Sequence, residues 1–426
     1  MLEFQLPYYK HHMTLSIEDK ERLAGVLISN AETYIPKGKP TDLVKKALKK
    51  PIGSKPLSKL AKKKKHIVII TSDHTRPVPS HITMPIILKE IRKHNKDVKI
   101  TILIATGMHR PTTKQEMIEK FGKEVVEKEV FVVHDAYKDE DMVFKGILPS
   151  GGEVWLNKLV DEADLLISEG FIEPHFFAGF SGGRKSVLPG IASKKTVLWN
   201  HNAKFIAHPA ARAGSLLDNP IHKDMLFAAQ VANLAFILNV VINGEKEIIG
   251  AYAGDPSKAH NEGCKLVAEL AKVKPVPADI VVTTNGGYPL DQNIYQTVKG
   301  MTAAEACVKP NGVIVMISSC IDGHGGDFFY HTLADALNPK AALEKIEGVE
   351  PSETVFDQWE SQILARILVK STVILVSDLC DPKIITDMHM LHAKDVNEAM
   401  AKAEKIAGKD SKITVIPDGV AVIVKD

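Results

Sequence analysis

His66-Ile-Val-Ile-Ile-Thr71 is a short apolar run that reads as a buried β-strand. Ser80–His94 after it has the spacing of an amphipathic helix, and Val98–Ala105 is a second apolar run. Outward from this strand–helix–strand unit the same alternation continues. Thr113–Lys128 reads as a helix, and Val130–His134, Leu165–Ser168, Leu234–Ile242, Ile280–Thr284, Val313–Ile317, Val373–Ser377 and Ile413–Ile416 read as strands. Strands separated by helices pair in parallel through crossovers, which predicts an α/β fold.

At 426 residues the chain exceeds one ordinary core, so more than one domain is expected. Lys272-Val-Lys-Pro-Val-Pro-Ala278 carries the boundary: two prolines end the preceding helix and a new strand starts near Asp279. The expectation is an N-terminal α/β domain over 1–272 and a C-terminal one over 279–426. Each would have a parallel-rich sheet flanked by helices, with the last strand a candidate to pack back on the first domain. No internal repeat or low-complexity segment appears.

Charge excludes some functions. Fifty-four basic residues against 52 acidic ones leave a net charge of +2, which gives nucleic acid or a membrane surface no strong electrostatic footing. The run Lys62–Lys65 reads as a solvated approach to the strand behind it. Cys264, Cys307, Cys320 and Cys380 form no Cys-x-x-Cys pair, which argues against a zinc site or a disulfide framework. Met1–Tyr8 lacks the apolar core of a signal peptide. Leu234–Ile242, interrupted by Asn239, is too short to span a bilayer. A cytoplasmic protein is expected.

Polar clusters follow the strands, where open α/β sheets bind ligands. Ser72-Asp73-His74-Thr75-Arg76-Pro77 holds a guanidinium suited to a carboxylate, or else an Asp73–Arg76 pair closing a loop. Thr106-Gly-Met-His109-Arg-Pro111 fixes a histidine between glycine and proline. Glu169–His175 leads into Phe176-Phe-Ala-Gly-Phe-Ser-Gly-Gly-Arg-Lys185-Ser186, with His201 beyond. That lysine suits phosphate pairing or amine chemistry, and the alternative is a glycine-rich turn with an exposed lysine. Asn285 to Gly300 is a loop entering a helix, on which Lys299 shares a face with Tyr295 or Gln296. Asp322-Gly-His324-Gly-Gly326 reads as a turn before a metal loop, and Trp359 as core before substrate contact. The histidines lack the H-E-x-x-H spacing, and there is no calcium-type carboxylate cluster. The chain alone supplies few ligands for a metal.

These blocks together resemble the nickel-pincer-nucleotide lactate racemases. They are Ser72–Pro77, Thr106–Pro111, His175–Ser186, Asn200-His201, Gln292–Lys299 and Asp357-Gln-Trp359, and the resemblance runs over nearly the whole chain. It implies racemisation of a 2-hydroxy acid, lactate first, at a site in the cleft between the two domains. It implies a nickel pincer nucleotide, a pyridinium-dithio mononucleotide, joined covalently to Lys185. Asp73, Gly182, Gly183 and Ser186 would contact that cofactor, with His201 as nickel ligand. His109 and His175 become the acid–base pair. Arg76, Gln296 and Lys299 become carboxylate ligands, and Tyr295 and Trp359 the pocket wall. It further implies maturation proteins as partners, with no nucleic acid and no membrane. Another 2-hydroxy acid, or nucleotide binding without catalysis, are the competing readings; an NAD-dependent dehydrogenase would need a glycine-rich fingerprint that is absent.

Overall fold

The computed structural model describes residues 1–426. They divide into two compact units. The N-unit is Asn30–Asn200 with Pro209–Leu270, and the C-unit is Met1–Ser29, His201–His208 and Ala271–Asp426.

The N-unit is built on a six-stranded sheet in the order Ile248–Gly254, Leu234–Ile242, Leu165–Phe171, His66–Ser72, Lys99–Ala105 and Val130–Val133. All pairs are parallel except the first, which is antiparallel. Ile67, Ile69, Ile100, Ile102 and Ile167 pack with Met84, Ile87 and Ile91 of the helix Ser80–Arg92. Full burial of each such side chain contributes about 1.5–3 kcal/mol. From His66–Ser72 the chain winds outward through Lys99–Ala105 and Val130–Val133. It then crosses to the other side of the starting strand at Leu165–Phe171. The winding direction reverses between His66–Ser72 and Leu165–Phe171, and that reversal is where doubly wound sheets open a crevice at their strand ends.

The C-unit has six parallel strands in the order Leu391–Ala393, Thr372–Val376, Val308–Ile317, Ala278–Thr284, Ile413–Ile416 and Leu23–Val26. An N-terminal hairpin, Leu2–Tyr8 with His11–Ile17, lays Leu6, Tyr8, Leu15 and Ile17 against Ile280, Val282 and Val313. Ile423–Val424 pairs with Lys272–Val273.

The α/β class and parallel-rich sheets expected from the apolar runs are present. The expected helix Thr113–Lys128 is instead two helices, Lys114–Phe121 and Lys123–Lys128. Gly122 separates them at φ +86, donating its N–H to the Ile118 carbonyl; glycine takes that conformation without steric cost. All four cysteines are unpaired and buried. No helix is long and apolar enough to cross a membrane.

Candidate active site

Three loops leave the ends of neighbouring N-unit strands. After His66–Ser72, Asp73 is 2% exposed and accepts on Oδ1 from the Thr75 backbone N–H at 3.1 Å and the Thr75 hydroxyl at 2.7 Å. Its Oδ2 lies 2.7 Å from His109 Nδ1, on the loop after Lys99–Ala105. Burial alone would raise the Asp73 carboxyl, but the His109 hydrogen bond and charge, with Arg76 and Thr75, hold it far below the usual carboxylate range. An ionised acceptor at Nδ1 fixes the proton there, so neutral His109 keeps its lone pair on Nε2. The Asp73–Arg76 pair weighed from sequence does not form as a contact. Arg76 is exposed and donates to the Thr75 hydroxyl at 2.9 Å.

Beneath this loop Glu169 is buried and accepts from Thr71, Ser80 and Thr83 hydroxyls at 2.6, 2.9 and 2.5 Å. One carboxylate thus ties two strands to the first turn of Ser80–Arg92 and sets the path of the residues between. The sequence reading passed over it.

The third loop, after Leu165–Phe171, makes a small hairpin in which Pro174–His175 pairs with Gly179–Phe180. The Ala178 N–H donates to His175 Nδ1 at 3.3 Å, so neutral His175 carries its proton on Nε2. Phe176 stacks on the ring at 5.1 Å and Phe177 meets it edge-on at 4.6 Å. The turn Gly183–Ser186 then presents Lys185, whose ammonium lies 5.8 Å from the Phe177 ring centre. Gly182 at φ +76 and Gly183 at φ +55 let the turn press onto the sheet. A Cβ on Gly182 would sit 2.6 Å from the Phe171 carbonyl oxygen, and one on Gly183 would sit 2.7 Å from the His260 ring. Ser186 closes the turn with its hydroxyl on the Gly183 carbonyl at 2.8 Å.

Arg184, also missed from sequence, is buried between the hairpin and this turn. It donates to the carbonyls of Phe180 at 2.8 Å and Ala178 at 2.7 Å. Burial lowers its guanidinium to about 10 and it stays charged, spacing His175 and Lys185 as one rigid piece.

In the C-unit, Asn293 caps the helix Ile294–Glu305 by accepting from the Gln296 N–H at 2.9 Å. On that helix the Lys299 ammonium donates to Gln296 Oε1 at 2.6 Å. The expected shared face is present. Trp359 opens the helix Gln358–Lys370 and donates from Nε1 to the Tyr295 hydroxyl at 3.2 Å, while its ring meets His201 at 5.0 Å. His201 is 4% exposed. It is held here because Gln362 donates to the Ala203 carbonyl at 2.8 Å. Tyr295, Trp359 and His201 thus meet in the C-unit beside the Gln296–Lys299 pair, and in the N-unit Asp73 meets His109 while His175 and Lys185 both lie against the Phe177 ring. His324 adjoins Tyr295 through its backbone carbonyl, which accepts from the Tyr295 N–H at 3.1 Å, while its Nδ1 accepts from the Gly326 N–H at 3.1 Å and closes a turn. No three His, Cys, Asp or Glu side chains meet in a metal-binding group.

Residues 8–214 match the lactate racemase N-terminal domain, and residues 273–424 match the lactate racemase C-terminal domain. The chain is 56% identical over its full length to the full length of a lactate racemase of Thermoanaerobacterium thermosaccharolyticum. It is 55% identical, again with both chains covered entirely, to one of Lactiplantibacillus plantarum. The lactate racemase apoprotein structure from Thermoanaerobacterium thermosaccharolyticum superposes over all of both chains with a TM-score of 0.97 at 55% identity. A Thermotoga maritima protein at 20% identity shares the fold, with a TM-score of 0.66 over 92% of this chain and all of that one. With both domain matches in order along one chain and identity sustained end to end, this protein belongs to the lactate racemase family of isomerases.

Proposed function

We propose that the chain is a lactate racemase that interconverts D- and L-lactate through pyruvate. The observation that carries the reading is the pair His109 and His175, each on a loop at a strand end of one sheet, with His109 Nδ1 against Asp73 and His175 Nδ1 accepting from the Ala178 N–H. With its Nδ1 proton held by Asp73, His109 as the neutral ring offers a lone pair at Nε2. Inversion through a planar intermediate needs a base toward one face and an acid toward the other. As the neutral ring, His109 takes the hydroxyl proton of one enantiomer and becomes imidazolium; His175, entering as imidazolium, returns a proton to the ketone oxygen when the other forms and becomes the neutral ring. In the reverse direction the roles exchange. Arg76 and Lys299, with Gln296, hold the carboxylate, and Tyr295 and Trp359 wall a pocket suited to a small acid.

No side chain accepts and returns a hydride; a nickel pincer nucleotide would supply that capacity when bound. The residues fit such a group. Gly182 and Gly183 seat the turn against the sheet, where a side chain at either would meet the Phe171 carbonyl or the His260 ring, and Lys185 on that turn provides an amine for covalent attachment. Asp73 and Ser186 would line it. His201 gives an imidazole suited to Ni(II), whose other ligands would come from the nucleotide because the chain assembles too few of its own. Separate maturation proteins would then be needed to build it.

The test is racemisation from each enantiomer by cofactor-loaded protein. His109→Ala and His175→Ala should each lower turnover in both directions by at least about 10²-fold. Near-normal turnover in either variant would sink the acid–base assignment. Peptide mapping of the active protein should find the cofactor mass on the Lys185 peptide.

A further inference from the structure

Glu360 is 1% exposed, and neither of its carboxylate oxygens has a hydrogen-bond partner. A carboxylate buried in this way is costly unless it is neutral or faces a cation. Its helix Gln358–Lys370 is fastened to Ile294–Glu305 by Trp359 on Tyr295 at 3.2 Å and by Arg366, which forks onto Glu305 at 2.8 and 2.7 Å. Glu360 comes directly after the first of these ties. Burial pushes its carboxyl up to about 8; Lys299 on the facing helix pulls it down and Asp357 before its own helix pushes it up. Tyr295 also faces it, and burial and the two acids keep that phenol neutral. Asp357 is itself pushed up to about 6 by burial, with the Tyr295 hydrogen bond opposing.

We propose that Glu360 is a positioning residue for Lys299, a proton-exchanging acid that must be neutral for the lysine to receive a substrate carboxylate. The proposal rests on the reading of Lys299 as a carboxylate ligand. One ammonium stands against Asp357, Glu360 and the incoming anion. With Glu360 ionised, the field of Lys299 is already offset, and a carboxylate entering this poorly hydrated site meets net negative charge. With Glu360 protonated, that carboxylate no longer offsets the charge of the ammonium. Above the pKa of Glu360, binding therefore takes up one proton, which goes to a Glu360 carboxylate oxygen.

Glu360→Gln keeps the shape and removes the charge. In cofactor-loaded enzyme, KM for lactate should be flat below about pH 8 and rise about tenfold per pH unit above it. In Glu360→Gln the KM should stay at the low-pH value throughout. Infrared difference spectra on adding racemic lactate above that pH should show a new protonated-carboxyl band in the parent enzyme and none in the variant. A Glu360→Gln KM that climbs in parallel with the parent's overturns the proposal. So does the absence of that band from the parent, which decides the matter even if the variant does not fold. An unchanged KM in Lys299→Met would instead overturn the reading of Lys299.

Discussion

The contact between Asp73 and His109 shows how a single oxygen sets the state of a ring. Asp73 Oδ1 is committed to the Thr75 N–H, which only an acceptor can satisfy, so Oδ2 is left for His109. In Asp73→Asn the amide oxygen must stay with Thr75 and the amide nitrogen must face Nδ1. His109 would then carry its proton on Nε2 and lose its base-ready lone pair. Turnover should fall by about 10²-fold or more, while lactate KM changes much less; a variant with near-parent kcat would refute the tautomer argument. His109 and Lys185 were visible in the sequence because a histidine or lysine close to glycine or proline stands out against loop composition, whereas His201 between two asparagines owed its role only to the family resemblance. The partners that set their chemistry were not visible. Asp73 could be noticed but not paired, since its contact spans 36 positions. Glu169, Arg184 and Glu360 lie beside or inside predicted elements and draw notice only once burial removes their access to water.

At the scale of elements, two buried side chains tie down the loops of the candidate site. Arg184 donates to the Ala178 carbonyl in the turn of the His175 hairpin and to the Phe180 carbonyl on its second strand. Arg184→Ala strips the Phe180 carbonyl of the guanidinium and leaves the Ala178 carbonyl only the Phe180 N–H; an unsatisfied buried acceptor costs about 1–3 kcal/mol, so denaturant unfolding should show a loss of at least about 1 kcal/mol. A loss under 1 kcal/mol would mean water replaces the guanidinium. His134 plays a similar part next to the strand Val130–Val133. It bonds the Ala192 carbonyl at 3.0 Å and Asn157 at 3.2 Å, fixing the segment that follows the lysine turn. Burial lowers its imidazole to about 4, so the folded form binds its proton below the unfolded form's value near 6.5. Between those values the unfolded chain holds the extra proton, and stability falls as pH falls from about 6.5 to about 4. The loss attributable to His134 should approach about 3 kcal/mol. Chemical denaturation at pH 7 and pH 4 measures it, and a slope unchanged in His134→Gln would show that other groups carry it. The long apolar strands were legible because nothing else suits a run such as Leu234–Ile242. The split at Gly122 was less so, since one glycine inside helical spacing is often tolerated. The hairpin Leu2–Tyr8 with His11–Ile17 went unread. Its alternation is broken by Pro7 and by two histidines, and its apolar side is defined only by the sheet it covers.

At the scale of the molecule, stability and activity draw on different parts of the chain. Each unit holds its own apolar core, one centred on Ile67, Ile69, Ile102 and Ile167 and the other on Ile280, Val282, Val313 and Val315. Neither core includes the histidines or the lysine of the candidate site, and no cluster of side chains depends on a metal to offset mutual repulsion. Such a chain should fold on apolar burial alone. Racemisation is different: in the proposed roles His109 and His175 would move protons and Lys185 would form an adduct, but no side chain can take up and return a hydride. The expected outcome for the chain made in a host without the cofactor pathway is a cooperative thermal transition, an intact mass equal to that of the bare polypeptide, and no interconversion of D- and L-lactate. Co-production with maturation proteins and nickel should add mass at Lys185 and bring activity with it. Activity from protein of unmodified mass after metal removal would overturn the cofactor assignment while leaving the fold argument intact. A lone chain that fails to unfold cooperatively would overturn the fold argument, because it would show that the bound group completes a core these residues do not close by themselves.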